Sequence, residues 1–78
     1  MKDKFIVNLA EILEISSNSI SSSDVFRELE NWDSITALGV SAMIDEEYEI
    51  TIPRVDFDKL ITVEDLYNYI KKTIKNEN

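Results

Sequence analysis

At 78 residues, with 44% apolar content, one Gly and one Pro, the chain suits one thin-cored domain, too small for a deep enclosed active site and too poor in turn breakers for an all-β fold. Its 16 acids against 8 bases leave a net charge of −8, which disfavours nucleic acid as a partner and favours proteins with basic patches. With no Cys and no His it has no disulfide, no thiolate metal site and no Ser-His or Cys-His nucleophile pair.

The start, Met1-Lys2-Asp3-Lys4, leads into apolar residues soon interrupted by Asn8 and Glu11. That is no signal peptide, and no run approaches a membrane span, so the expected place is the cytoplasm. Phe5, Leu9, Ile12 and Leu13 recur on one helical face and predict a first helix over Asp3 to Ile15. The serines of Ser16 to Ser23 compete for backbone hydrogen bonds and predict a long connection. Ile20, Val25, Phe26 and Leu29 are expected to pin it to the core. A connection of this length is often functional.

A second helix is predicted from Ser34 to Tyr48. Ile35, Ala37, Leu38, Val40, Ala42, Ile44 and Tyr48 cover more than half its wheel, so it is expected to lie between other helices. Thr36, Gly39, Glu46 and Glu47, with Met43, form the narrower remaining side. Gly39 costs about 1 kcal/mol relative to Ala in mid-helix and permits close approach by a partner or by a neighbouring helix. Glu49 to Ile52 reads as an extended connection into Pro53. A short helix over Arg54 to Leu60 is expected to turn Val55, Phe57 and Leu60 inward. Thr62 and Asp65 form a capping-box variant. Val63, Leu66, Tyr67, Ile70 and Ile74 then predict a strongly amphipathic last helix. Lys71, Lys72 and Lys75 complement its dipole, and Asn76-Glu77-Asn78 is expected to fray. The sum is an all-α fold: three main helices and one short one, in a single domain over residues 1–78.

The acids lie on predicted exposed faces, without an EF-hand spacing, and no Gly-rich phosphate loop is present. No metal site is expected, and the chain does not read as an enzyme. Attention falls on Asn31-Trp32-Asp33-Ser34-Ile35. Asp33 and Ser34 are good helix-start residues, and the plain reading is that Ser34 only caps or opens its helix. In a small, acidic, four-helical chain, however, Asp33-Ser34-Ile35 resembles the Asp-Ser-Leu modification motif of acyl carrier proteins. The resemblance runs from about Phe5 to Ile74.

That resemblance implies that Ser34, with Asp33 beside it, carries a 4′-phosphopantetheine arm, added from coenzyme A by a separate phosphopantetheinyl transferase that holds the Mg²⁺. The arm's thiol then carries acyl or aminoacyl groups between enzymes with basic docking patches. Trp32, Ile35, Thr36, Gly39, Met43, Asp45, Glu46 and Glu47 are the residues expected to meet those partners. A monomer is expected. In relatives that bury the acyl chain, residues such as Val40, Ala42, Ile44, Leu60, Ile61 and Tyr67 line the pocket; here they read first as core. Trp32 replaces a small residue, Ile35 replaces Leu, and Thr36 and Gly39 stand where fatty-acid-synthesis members typically carry acids. These departures point toward a specialised pathway, such as polyketide or nonribosomal peptide assembly, surface-polysaccharide acylation or D-alanyl transfer. The alternatives are a housekeeping fatty-acid carrier and an unmodified acidic adaptor.

Overall fold

The computed structural model describes residues 2–76, with side chains through Ile74. The described residues form α1 Lys2–Leu13, α2 Ser34–Tyr48, α3 Arg54–Phe57 and α4 Val63–Asn76. This is the expected all-α arrangement. Single 3₁₀ turns at Ser17–Ser19 and Phe26–Glu28 punctuate the connection between α1 and α2. The fraying expected of Glu77 and Asn78 lies outside the described residues, as does the side chain of Lys75; Asn76 still belongs to α4.

The first helix stops at Leu13 rather than at Ile15. Glu14 turns left-handed at φ 56°, its N–H donates to Glu11 O, and Ile15 N–H donates back to Ala10 O. This pair of bonds is a Schellman ending, normally given to Gly. The chain's one Gly lies inside α2, so Glu14, Asn31 and Glu49 take the left-handed positions instead.

The serine-rich connection is ordered by α4. Val63 N–H donates to Asp24 O and Glu64 N–H to Ser22 O, while Phe26 N–H donates to Ile61 O. A helix start leaves its first N–H groups without internal partners, and here the connection supplies two of them. Thr62 and Asp65 complete the cap in the expected way: Thr62 N–H donates to Asp65 Oδ2 at 3.0 Å and Asp65 N–H to Thr62 Oγ1 at 3.1 Å.

Phe5, Leu9 and Leu13 of α1, Phe26 of the connection, Val40 and Ile44 of α2, and Val63, Leu66 and Ile70 of α4 are fully buried and form the core. Burial of such side chains supplies about 1.5–3 kcal/mol each. The expectation that α2 lies between other helices holds for the faces packed against α1 and α4, but not all round, because a four-residue α3 is too short to cover the remaining side. Ile35 and Leu38 are therefore 76% and 73% exposed. In α3, Phe57 turns inward and Val55 does not, at 61% exposed, because residues two apart lie about 200° apart around a helix. The helix ends at Phe57, and Leu60 is half-buried beyond it. Of the residues named as pocket lining, Val40 and Ile44 are core, Leu60 and Tyr67 are half-buried, and Ala42 and Ile61 are exposed.

Candidate functional site

Asp33 is the residue that caps α2. Its backbone is extended, its Oδ1 accepts from Thr36 N–H at 2.8 Å, and Thr36 Oγ1 accepts from Asp33 N–H at 2.7 Å. The two side chains exchange bonds as in a capping box, with Thr in the place more often held by Glu or Gln. The Thr36 N–H bond, ahead of the other contributions, holds the Asp33 carboxyl below its ordinary value. Ser34 is thus the first helical residue and not the cap. It is exposed, and its hydroxyl has no hydrogen-bond partner among the described residues.

The segment before it is held from two sides. Asn31, left-handed at φ 69°, donates through Nδ2 to Leu13 O at 2.8 Å, where α1 ends. The Trp32 ring is half-buried and meets Phe26 edge-on, with centroids 5.2 Å apart. Trp32 is therefore an anchor of the turn as well as a wall of what lies beside it.

Ser34 opens onto a groove of about 460 Å³ between α2 and α3. Ala37, Leu38 and Ser41 line it from α2, Trp32 and Arg27 from the connection, and Ile52, Arg54, Phe57 and Asp58 from around α3. Arg27 lies over the adjoining Phe26 and Phe57 rings, 4.5 and 5.1 Å from their centroids, which are themselves 5.5 Å apart. Its guanidinium donates to Leu60 O and, at 2.8 Å, to Phe57 O. Arg54 pairs with Asp58 at 3.4 Å, an exposed i,i+4 pair of small energetic weight.

The eight residues expected to meet partners do not form one face. Gly39, Met43, Glu46 and Glu47 border a second recess of about 270 Å³ against Asn8, Glu11 and Ile12 of α1. A methyl at Gly39 would stand 3.2 Å from Ile12 Cγ2, so the close approach this glycine allows is to the neighbouring helix. Thr36 is occupied in the capping box. Ile35, Asp45, Glu46 and Glu47 are exposed, and Glu47 lies 3.7 Å from Lys4 Nζ. Sequence reasoning missed Leu38, which it counted only in the apolar wheel of α2, and the roles of Arg27 and Arg54 as groove walls. A signal for the arginines existed: no basic residue stands between them in the sequence, yet the fold brings both to one groove. From Ser34 to Ile44 the helix carries no charge at all; its acids begin at Asp45.

Among the described residues, no helix is long and apolar enough to cross a membrane. A small helical bundle that presents a free serine at a capped helix mouth, beside a groove, has the form of a carrier domain. The comparisons agree with that class. The family model described as the phosphopantetheine attachment site matches residues 3–70. An acyl carrier protein of Campylobacter jejuni subsp. doylei is 32% identical over 62 residues, covering 80% of this chain and 80% of that protein. An acyl carrier protein of Kocuria rhizophila is 30% identical over 73 residues, 88% of this chain and 90% of the relative. Polyketide-8 synthase acyl carrier protein 1 of Streptomyces avermitilis is 22% identical over 68 residues, 87% of this chain and 81% of the relative. The chain belongs to the acyl carrier protein family, and its cofactor is 4′-phosphopantetheine. The family's role is that of a shuttle for other enzymes.

Proposed function

We propose that Ser34 is the attachment point of the phosphopantetheine arm and that the chain works as a single stand-alone carrier domain for a specialised biosynthetic pathway. The observation that carries this reading is the division of labour at the mouth of α2. Asp33 does the capping, which leaves the Ser34 hydroxyl exposed and unengaged. A transferase then meets a nucleophile that no local hydrogen bond holds back. Loading forms a bond from Ser34 Oγ to the pantetheine phosphorus of coenzyme A, breaks the pyrophosphate link, and releases the proton and adenosine 3′,5′-bisphosphate. The phosphate gained stands at a helix N-terminus, where the dipole favours an anion. When bound, the arm supplies the thiol that carries the cargo as a thioester, and the protein supplies the tether and the address.

The address has two parts. Ile35 and Leu38 offer a neutral apolar ridge beside Ser34, and Asp45, Glu46 and Glu47 offer an acidic end about 16 Å further along the helix. This supports partners with an apolar contact near the arm and a basic patch reaching the far end of α2. Trp32 holds the turn for that encounter; Thr36, Gly39 and Met43 act through the helix they shape. The missing charge over the first turns of α2 favours a dedicated pathway over general fatty-acid synthesis. The relatives include both a polyketide carrier and proteins named only as acyl carriers. A cytoplasmic monomer fits this reading.

The test is intact mass before and after incubation with coenzyme A, Mg²⁺ and a broad-specificity phosphopantetheinyl transferase. The wild type gains one phosphopantetheine and Ser34→Ala gains none. No gain by the folded wild type across several transferases returns the chain to an unmodified acidic adaptor. Robust elongation by general fatty-acid enzymes overturns the specialised assignment alone.

A further inference from the structure

The chain has eight basic residues, six of them lysines; both arginines line the groove that contains Ser34. Arg54 has an acid beside it in Asp58. Arg27 has none, although the chain carries 16 acids: no carboxylate pairs with it among the described residues. What holds Arg27 is neutral. Two of its N–H groups go to the carbonyls of Phe57 and Leu60, and it rests against the neighbouring rings of Phe26 and Phe57. A guanidinium has five N–H donors, so donors are left over on a side chain already fixed in place and half-buried.

A fixed, partly desolvated guanidinium with spare donors and no counter-ion suits an oxyanion. Its planar fork matches carboxylate and phosphate oxygens, and it is less strongly hydrated than an ammonium. With Asp58 counted, the groove lining keeps one excess positive charge in a protein of net charge −8. The remaining walls are apolar or hydroxylic: Trp32, Leu38, Ser41, Ile52. The volume, about 460 Å³, falls within the range of small-ligand sites.

We propose that this groove is an oxyanion seat, in which Arg27 binds an acidic oxygen of the group carried on Ser34, and that the favoured cargo is a short acyl chain ending in a carboxylate. The inference rests on the reading of Ser34 as the attachment point. Two sources supply such an oxygen: the cargo's carboxylate and the phosphodiester that joins the arm to Ser34.

The test uses the full chain and its guanidinium NMR signals. With two arginines there are two Nε–Hε resonances, and Arg54→Gln assigns the survivor to Arg27. Spectra are taken of the apo chain, the holo chain, and chains loaded from butyryl- and succinyl-coenzyme A, each verified by intact mass. The expected result is that succinyl loading shifts the Arg27 signal and slows its exchange with water about tenfold, the scale of one charge-assisted hydrogen bond, while butyryl loading leaves it as in the holo chain. A shift complete at the holo stage assigns the oxyanion to the phosphodiester and supports the seat while removing the cargo preference. An Arg27 signal unmoved from apo to succinyl, or moved beyond its holo position equally by butyryl and succinyl, overturns the seat. A chain that gains no mass overturns the assignment of Ser34, and this inference with it.

Discussion

Asp33 and Thr36 exchange side-chain-to-backbone hydrogen bonds across the first turn of α2, at 2.8 and 2.7 Å. Because the N–H of Thr36 favours the charged carboxylate, the Asp33 pKa lies lower in the folded protein than in the unfolded chain. Its contribution is fully present above the unfolded value and is lost as pH falls through the lowered folded value. Asp65, bonded by the N–H groups of Thr62 and Ile61, follows the same rule. Protonation also relieves repulsion in so acidic a chain, so the comparison must be differential. In urea titrations Asp33→Ala is less stable than Asp33→Asn, which keeps a side-chain acceptor. The gap between wild type and Asp33→Asn closes as pH is taken below about 4. A gap constant down to pH 2.5 contradicts the assignment.

Asn31 does two things that no single replacement reproduces. It occupies a left-handed backbone position at φ 69°, and it donates to Leu13 O. Asn31→Gly keeps the conformation and loses the bond, about 1 kcal/mol. Asn31→Ala also meets the left-handed penalty of about 1–2 kcal/mol and is the less stable of the two. Chemical denaturation reads the order directly, and equal losses would show that the conformation carries no cost there.

Gly39 faces Ile12 across the contact between α1 and α2. Gly39→Ala gains helix propensity of about 1 kcal/mol and meets Ile12 Cγ2 at 3.2 Å, so the net change stays under about 1 kcal/mol. Gly39→Val overpacks the contact and destabilises by about 1–3 kcal/mol. A Gly39→Val protein as stable as wild type removes the close-packing role.

Ile35 and Leu38 are the exposed apolar side chains nearest Ser34 along α2. Ile35→Ser and Leu38→Ser leave the unfolding midpoint nearly unchanged, since neither side chain is in the core. Each lowers kcat/KM for phosphopantetheinylation about fivefold or more, as loss of an interface anchor worth at least about 1 kcal/mol does. Glu46→Gln with Glu47→Gln instead weakens the salt dependence of the same rate. The reverse pattern, with charge dominating and the apolar pair silent, makes the docking electrostatic throughout.

Much of the fold was legible because it is local. The spacing of Phe5, Leu9 and Leu13, the serine tract, the Asp33-Ser34 start, the Thr62–Asp65 cap and the face of α4 are each written within a turn or two of chain, and hydrophobic periodicity reports them. The bounds of α2 were readable to the residue. The end of α1 was not, because a left-handed glutamate replaced the glycine that ordinarily signals a stop.

What the sequence determined by itself is the set of helices, the exclusion of Ser-His and Cys-His chemistry, and the serine at a helix mouth. What only the tertiary structure decided is which faces are covered. An apolar α2 reads as a buried helix, yet beyond its contacts with α1 and α4 the remaining side faces an α3 only four residues long, so Ile35 and Leu38 stay in water. Arg27 and Arg54 are 27 positions apart in the chain and line one groove because the connection folds back onto α4 and the turn after α3. Periodicity records which residues share a helix face. The contacts between helices, closed by segments distant in sequence, settle what that face meets.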